Sequence, residues 1–295
     1  MNTQKIIPAL FAGDVHGNLA DLEIAMTCAA RNGIDTVIQV GDFWIYDNPQ
    51  DIQKLERRAK VCENDFGFCP HIYFIDGNHE NYTRDSGSLR SLNYYVGRAL
   101  EDGAESSAGV PICDYLTYMP RGSVMDVGGL TIGFMGGADS IDKQFLVPGK
   151  TWFPEEELTE SDYRRARRVF SQAGGIDILV SHDTAVPAFN SIVWRRNNML
   201  EPSFDQTRHY LTELVEEFAP KAVVHGHHHY PCVFSATARD DEQGGAEFTD
   251  VSLSYNGNYG FLAVLEMPSN GAISTSQAVF LEGRTKIADL GYALP

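Results

Sequence analysis

Short apolar runs alternate with stretches in which apolar residues recur every three or four positions through the first eighty residues. Residues 6–11, 36–40 and 72–75 are continuous apolar runs of strand length. Between the first two, Leu19, Leu22 and Met26 share one helical face behind Asn18, whose side chain can accept from the free amides of a first helical turn. Residues 51–62 repeat the helical period with Ile52, Leu55 and Ala59 on one face. The order is β-α-β-α-β, which predicts a largely parallel sheet covered by helices.

Further along, the pattern loosens and then returns. From Asn81 to about Pro120 no period is sustained, and residues 101–110, small, acidic and rich in Gly and Ser, read as a surface loop. Ser123–Val127 and Leu130–Met135, joined by Gly128-Gly129, predict a hairpin. A long loop over 136–157 precedes a helix near 162–172, where Thr159 and Asp162 have capping-box spacing. Residues 176–180 read as a buried strand ending at Ser181-His182, 205–218 as a helix, and Ala222–His225 as another strand. Residues 230–280 alternate in short β-like runs, with an acidic turn near 240–245. With no internal repeat and no dividing linker, residues 1–295 read as a single α/β domain with two sheets.

Composition sets limits on partners. At 43% hydrophobic residues the chain can bury a sizeable core without covalent staples. Its net charge of −17, from 23 Lys+Arg against 40 Asp+Glu, disfavours an extended nucleic-acid surface and adhesion to anionic membranes. A small phosphorylated substrate remains compatible, because a bound cation inverts the local field. Cys28, Cys62, Cys69, Cys113 and Cys232 are odd in number and scattered, which suits free thiols in a reducing compartment. Without a leader-like apolar segment at the N-terminus or an apolar run of about 18 residues, a cytoplasmic protein is expected.

The predicted strand ends carry the chemistry. Three of them finish in glycine beside metal-competent side chains: Gly13-Asp14-Val15-His16, Gly41-Asp42 and Gly77-Asn78-His79-Glu80. Ligands collect at the carboxyl ends of strands in open α/β sheets, so Asp14, His16, Asp42, Asn78 and His79 are expected to converge. Two later ends add His182 and the run Gly226-His227-His228-His229. A lone Gly-Asp is usually a turn and a lone histidine usually a satisfied one; their conjunction points to a metal site.

In this order the motifs resemble those of the calcineurin-like metallophosphoesterase superfamily: Asp-x-His, Gly-Asp, Gly-Asn-His-Glu, a lone His, and Gly-His-x-His, spanning residues 13–229. The resemblance implies a two-layer β-sandwich flanked by helices and a dinuclear metal centre. It implies one ion held by Asp14, His16, Asp42 and His229, and a second by Asp42, Asn78, His182 and His227, with Asp42 shared. A nitrogen and oxygen donor set without thiolate suits Mn²⁺, Fe or Zn²⁺, and the resemblance favours Mn²⁺. It further implies phosphoester hydrolysis by a metal-bound hydroxide, with His79 as general acid to the leaving oxygen.

The second motif departs from the Ser/Thr protein phosphatases. It reads Gly41-Asp42-Phe43-Trp44-Ile45-Tyr46-Asp47, without their orienting aspartate and phosphate-gripping arginine, and so is closer to small bacterial and phage phosphoesterases. Asp47, at a different offset, is a candidate to orient His79, and Glu80 a candidate to structure its own motif. Arg84 and Lys143 are candidate phosphate contacts, set against a solvated arginine and a loop held by its own Asp and Ser hydrogen bonds. Trp152-Phe153-Pro154 reads as a packing anchor, and the arginines at 164–168 as an exposed helix face. The leading expectation is a phosphomonoesterase acting on a small or locally presented phosphate. A phosphodiesterase or nuclease on a small or strand-end nucleotide, and a noncatalytic module on the same fold, are the alternatives.

Overall fold

The computed structural model describes residues 4–101, 109–140, 142–196, 205–239, 245–266 and 278–294. In chain order the strands and helices are β1 (Gln4–Lys5), β2 (Leu10–Ala12), α1 (Leu19–Arg31), β3 (Thr36–Gln39), α2 (Pro49–Phe66), β4 (His71–Phe74) and α3 (Leu92–Glu101). Then come β5 (Val110–Cys113), β6 (Leu116–Tyr118), β7 (Ser123–Val127), β8 (Leu130–Met135), α4 (Glu160–Gln172), β9 (Ile178–Ser181), α5 (Val186–Arg195) and α6 (Gln206–Phe218). The last are β10 (Ala222–His225), β11 (Cys232–Thr237), β12 (Glu247–Ser252), β13 (Leu262–Leu265), β14 (Ala278–Leu281) and β15 (Tyr292–Ala293).

Two mixed sheets form the centre. One has seven strands in the order β14-β13-β2-β3-β4-β6-β5, the other six in the order β11-β12-β10-β9-β8-β7. In each, four adjacent strands run parallel: β2, β3, β4 and β6 in the first, β8, β9, β10 and β12 in the second. A short parallel pair, β1 with β15, stands apart. Alternation along the strands builds the layers. Phe11, Ile38, Val40, Phe134, Ile178, Val180 and Val224 fill the space between the sheets. Their neighbours Leu10, Ala12, Val37 and Phe74 pack with Leu22, Met26, Leu55 and Ala59 of α1 and α2. Leu179 and Val223 pack with Phe170, Ile192 and Leu214 of α4, α5 and α6. The architecture is the expected α/β sandwich of two sheets flanked by helices.

The local signals hold where side-chain chemistry sets them. The Asn18 side chain accepts from Ala20 N at 3.0 Å at the start of α1. Thr159 and Asp162 exchange the two bonds of a capping box at α4. Gly128 and Gly129, with φ of 62° and 82°, make the tight link between β7 and β8. Elsewhere the boundaries move for physical reasons. The first predicted strand, 6–11, shortens to β2 because Pro8 has no N–H for a ladder. Within the unpatterned 81–120 stretch lie α3, β5 and β6. Gly97 sits inside α3 and Pro111 inside β5, which is tolerated because β5 is an edge strand and its register shifts between Pro111 and Cys113. Helix α5 lies outside the elements that the sequence pattern predicts; Pro187 in its first turn and the buried Ala188 and Ile192 favour it. Most of the 101–110 loop and nearly all of the 240–245 turn lie outside the described residues.

Candidate metal centre

Five parallel strands, from both sheets, deliver the site at their carboxyl ends. β2 leads to Asp14 and His16, β3 to Asp42, β4 to Asn78 and His79, β9 to His182, and β10 to the 226–229 run. The side chains meet although they are far apart in sequence. Asp42 turns its oxygens to different histidines: Oδ1 lies 3.4 Å from Nε2 of His182, and Oδ2 lies 3.8 Å from Nδ1 of His16. Nε2 of His229 lies 2.9 Å from Oδ2 of Asp14 and 3.3 Å from Nε2 of His16. The amide oxygen of Asn78 is 3.2 Å from Nε2 of His182. His227 gives its backbone N–H to Asp14, and its ring lies 5.1 Å from that of His182, centroid to centroid. Within this arrangement Asp14, His16 and His229 form one compact donor group, and Asp14, Asp42 and His182 another.

His79 stands at the rim. Its backbone N–H donates to Oδ1 of Asp42 at 2.9 Å, while its ring, half-buried, sits 5.7 Å from His16 and 6.1 Å from Trp44. Asp47 and Arg84 line a groove that also reaches His79, but among the described residues no hydrogen bond joins Asp47 to the His79 ring. Lys143 does not reach for the site; its ammonium pairs with Glu157 at 2.6 Å.

The backbone is bent to make this convergence possible. Six described non-glycine residues have positive φ, and His16, Asp42, Trp44, His227 and His229 are five of them. Each such left-handed residue costs about 1–2 kcal/mol, so the surrounding structure must hold it. Glu80 supplies part of that hold: its buried carboxylate accepts from Phe43 N at 2.7 Å and Trp44 N at 3.4 Å. The motif glycines answer a second demand, close approach. A methyl group on Gly77 would overlap Oδ1 of Asp42, and one on Gly226 would overlap Oδ1 of Asp14. Each glycine thus makes room for a carboxylate from a different motif.

Electrostatics separates these carboxylates from the arginine-paired aspartates of the interior. Buried Asp76 pairs with Arg121 at 2.7 Å, and buried Asp183 with Arg208 at 2.8 Å. Burial instead pushes Glu80 up to about 8 and Glu156 up to about 7. Asp14 and Asp42, 0% and 1% exposed, touch no Lys or Arg among the described residues; their side-chain partners are histidines. Burial alone would raise the Asp42 carboxyl, but His182 and the rings of His79 and His16 outweigh it and hold it well down. Burial alone would likewise lower His182, yet the Asp42 carboxylate beside it holds the imidazole up at about 10. Burial keeps His16 and His227 low, neutral and free to offer a lone pair.

Behind the site lie residues that the motif pattern did not single out. Asp76, just before Gly77, accepts from Tyr82, Tyr118 and Arg121 at 2.8–3.1 Å. Arg121 also donates to the carbonyls of Glu155, Glu156 and Glu157, anchoring the loop that follows β8. From that loop Ser140 accepts the Asn78 side-chain N–H at 3.0 Å, which turns the amide oxygen toward His182. Asp183 joins His228 to Arg208, and Asp250 holds the buried His225 at 3.1 Å. Asp76 and Asp183 carry one sequence signal, each standing one residue from a motif, while Arg121, Ser140 and Asp250 stand next to none.

The donor set fits divalent cations. Two buried carboxylates have no Lys or Arg partner among the described residues, imidazole nitrogens converge on them, and the Nδ1 of His182 is committed to the Val40 carbonyl at 2.7 Å, leaving Nε2 to face inward. The donors are all nitrogen and oxygen, as intermediate and hard divalent ions require.

Comparison with known proteins agrees with this geometry. The profile of the calcineurin-like phosphoesterases matches residues 7–231. The crystal structure of the TT1561 protein of Thermus thermophilus superposes with a TM-score of 0.51 at 12% identity, covering 96% of this chain and all of that one. A putative 5'-nucleotidase from Staphylococcus aureus matches with a TM-score of 0.47 at 14% identity, over 94% of this chain and 54% of that one. No curated protein sequence matches the chain significantly.

Proposed function

The chain belongs to the calcineurin-like phosphoesterases, a family of metal-dependent phosphoester hydrolases, and from that premise we propose that it is a phosphomonoesterase with a dinuclear centre. The observation that carries this reading is the pair Asp14 and Asp42, buried together without a Lys or Arg partner among the described residues and met by histidines from three strand ends, whereas the buried Asp76 and Asp183 are each met by an arginine. One ion would be held by Asp14, His16, Asp42 and His229, the other by Asp42, Asn78, His182 and His227. The divergent aim of the two Asp42 oxygens supports its shared role. Mn²⁺ is the proposed occupant, with Fe and Zn²⁺ also suited to these donors.

When bound, such a pair supplies Lewis acidity: it lowers the pKa of water toward neutrality and offsets charge on the phosphoryl oxygens. The chain's own residues do the rest. Val40 fixes the His182 tautomer and Ser140 fixes the Asn78 amide, so the donors are aimed before substrate arrives. His79, whose backbone is tied to Asp42, holds a proton for the leaving oxygen at the rim. The five free cysteines support residence in a reducing compartment such as the cytoplasm, and no described helix is long and apolar enough to cross a membrane.

The test is hydrolysis of an aryl phosphate by the Mn²⁺-loaded protein, compared with a bis-aryl phosphate. Turnover of the monoester should be abolished by chelator and by Asp42→Asn. Undiminished activity in that variant overturns the assignment, and preference for the diester overturns its monoesterase part.

A further inference from the structure

Beside His79 a groove of about 90 Å³ is lined by Trp44, Asp47, Arg84, Lys150 and Thr151 among others. Two of these are exposed cations, and neither has an ion pair among the described residues. Lys54, Lys143, Lys221, Arg164 and Arg167 sit against carboxylates, whereas these two cations, brought together from distant parts of the chain, face one groove with their charge available. Against the two cations stands Asp47; the other carboxylate in the groove, Glu80, is turned to the amides of Phe43 and Trp44. Trp44 adds an apolar wall: it is 42% exposed and held in the left-handed region at φ 60°. Strained aromatic residues kept in the open at a site rim point to contact with a ligand.

Size narrows the occupant. Pockets for whole drug-sized molecules run from about 300 Å³ upward, so this groove suits a compact group. Its position beside the proposed acid, His79, places it where the leaving part of a phosphomonoester would extend. We propose that the groove formed by Trp44, Arg84 and Lys150 binds a second anionic group on the alcohol portion of the substrate, making the enzyme selective for compact phosphomonoesters whose leaving group carries its own phosphate or carboxylate. This rests on the hydrolase reading above. Arg84 and Lys150 would take the second oxyanion, Trp44 would cover the carbon skeleton between the two charges, and His79 would stand at the scissile oxygen.

Two substrate pairs separate the two anion sources: 4-carboxyphenyl phosphate with phenyl phosphate, and propane-1,3-diyl bisphosphate with propyl phosphate. The wild-type protein should favour the doubly anionic member of at least one pair by about tenfold in kcat/KM, mainly through KM, the effect of one charge-assisted contact. That ratio should collapse toward unity in Lys150→Met and Arg84→Met. It should persist in Lys60→Met, which removes the same charge from α2. Equal preference within both pairs, or a ratio unchanged in both groove variants, overturns the proposal while leaving the hydrolase reading intact. If the wild-type protein hydrolyses none of the four, the monoesterase reading fails. Calorimetric binding of propane-1,3-diylbisphosphonate against propylphosphonate then decides the groove: tighter binding of the former that is lost in Lys150→Met supports it, and equal binding overturns it.

Discussion

Nδ1 of His182 lies 2.7 Å from the main-chain oxygen of Val40, so this nitrogen is a donor in either charge state and Nε2 is the one that gains or loses a proton. In the metal-free chain the Asp42 carboxylate, working against burial, holds that imidazole up at about 10. The raised value stabilises the metal-free fold fully below the ordinary 6.5 and progressively less as pH climbs toward about 10. A cation placed on Nε2 must displace the proton. Metal affinity should therefore rise with pH between about 6.5 and 10, by up to roughly tenfold per unit, with about one proton released from this histidine per chain. Titration in weakly buffered solution measures both, and an affinity flat across that range would contradict the coupling.

Ser140 is the acceptor that orients the Asn78 amide. In Ser140→Ala the amide can turn its nitrogen toward His182 and withdraw its oxygen. Support groups of this kind contribute about 10–100-fold to metal affinity. Isothermal titration should show one of two metal sites weakened by that order, with the other site and the urea midpoint little changed. Equal weakening of both sites would argue against so local a role.

His79→Ala separates proton donation from the rest of the chemistry. Among the described residues the ring makes edge contacts with His16 and Trp44 and no hydrogen bond, while Asp42 holds its backbone N–H, so loss of the ring leaves the buried donors in place. Alkyl phosphates, whose leaving group needs a proton, should slow by about 10²–10⁴. An aryl phosphate with a good leaving group should slow far less, and a uniform loss across leaving groups would remove His79 from the acid role.

Much of this site was legible because each strand end carried its own short signal. The convergence of Asp14, His16, Asp42, Asn78, His182, His227 and His229 needed only the rule that parallel strands gather ligands at one edge. The layers were legible for a similar reason: residues such as Phe11 and Ile38 report a strand buried on both faces. What stayed hidden depends on tertiary partners. Helix α3 contains a glycine and β5 a proline, and both form because packing and an edge position override propensity. Arg121 sits 45 positions from Asp76, and nothing local distinguishes it from a surface arginine. Lys143 shows the converse, a plausible phosphate contact by sequence that the fold spends on Glu157.

The Asp76–Arg121 pair tests how far the site depends on what lies behind it. Both groups are buried, at 0% and 8% side-chain exposure, and Arg121 also holds three successive carbonyls of the 155–157 segment. Arg121→Met leaves a buried carboxylate unpaired, which costs about 3–5 kcal/mol. The urea midpoint should fall accordingly, and metal affinity with it, because Ser140 rides on the same loop. The double variant Asp76→Asn with Arg121→Met should recover part of the stability, since it removes the orphaned charge. A double variant less stable than Arg121→Met alone would show that the ion pair is not the source of the cost.

Glycine substitutions give the sharpest contrast, because one change has opposite expected signs at two positions. Gly226 has room for no methyl group: it would meet Oδ1 of Asp14 and approach Val40 at 3.0 Å. Gly226→Ala should therefore push Asp14 out of place and abolish metal binding, at a stability cost of about 1–3 kcal/mol for the overpacking. Gly97 lies exposed in α3 with open space around its Cβ direction. Gly97→Ala should stabilise the chain by up to about 1 kcal/mol through helix propensity and leave metal binding alone. Thermal melts with and without Mn²⁺ distinguish the cases: the ion should raise the melting temperature of Gly97→Ala and not that of Gly226→Ala. A normal metal-induced shift in Gly226→Ala would mean that Asp14 is not held against this glycine for the sake of a cation.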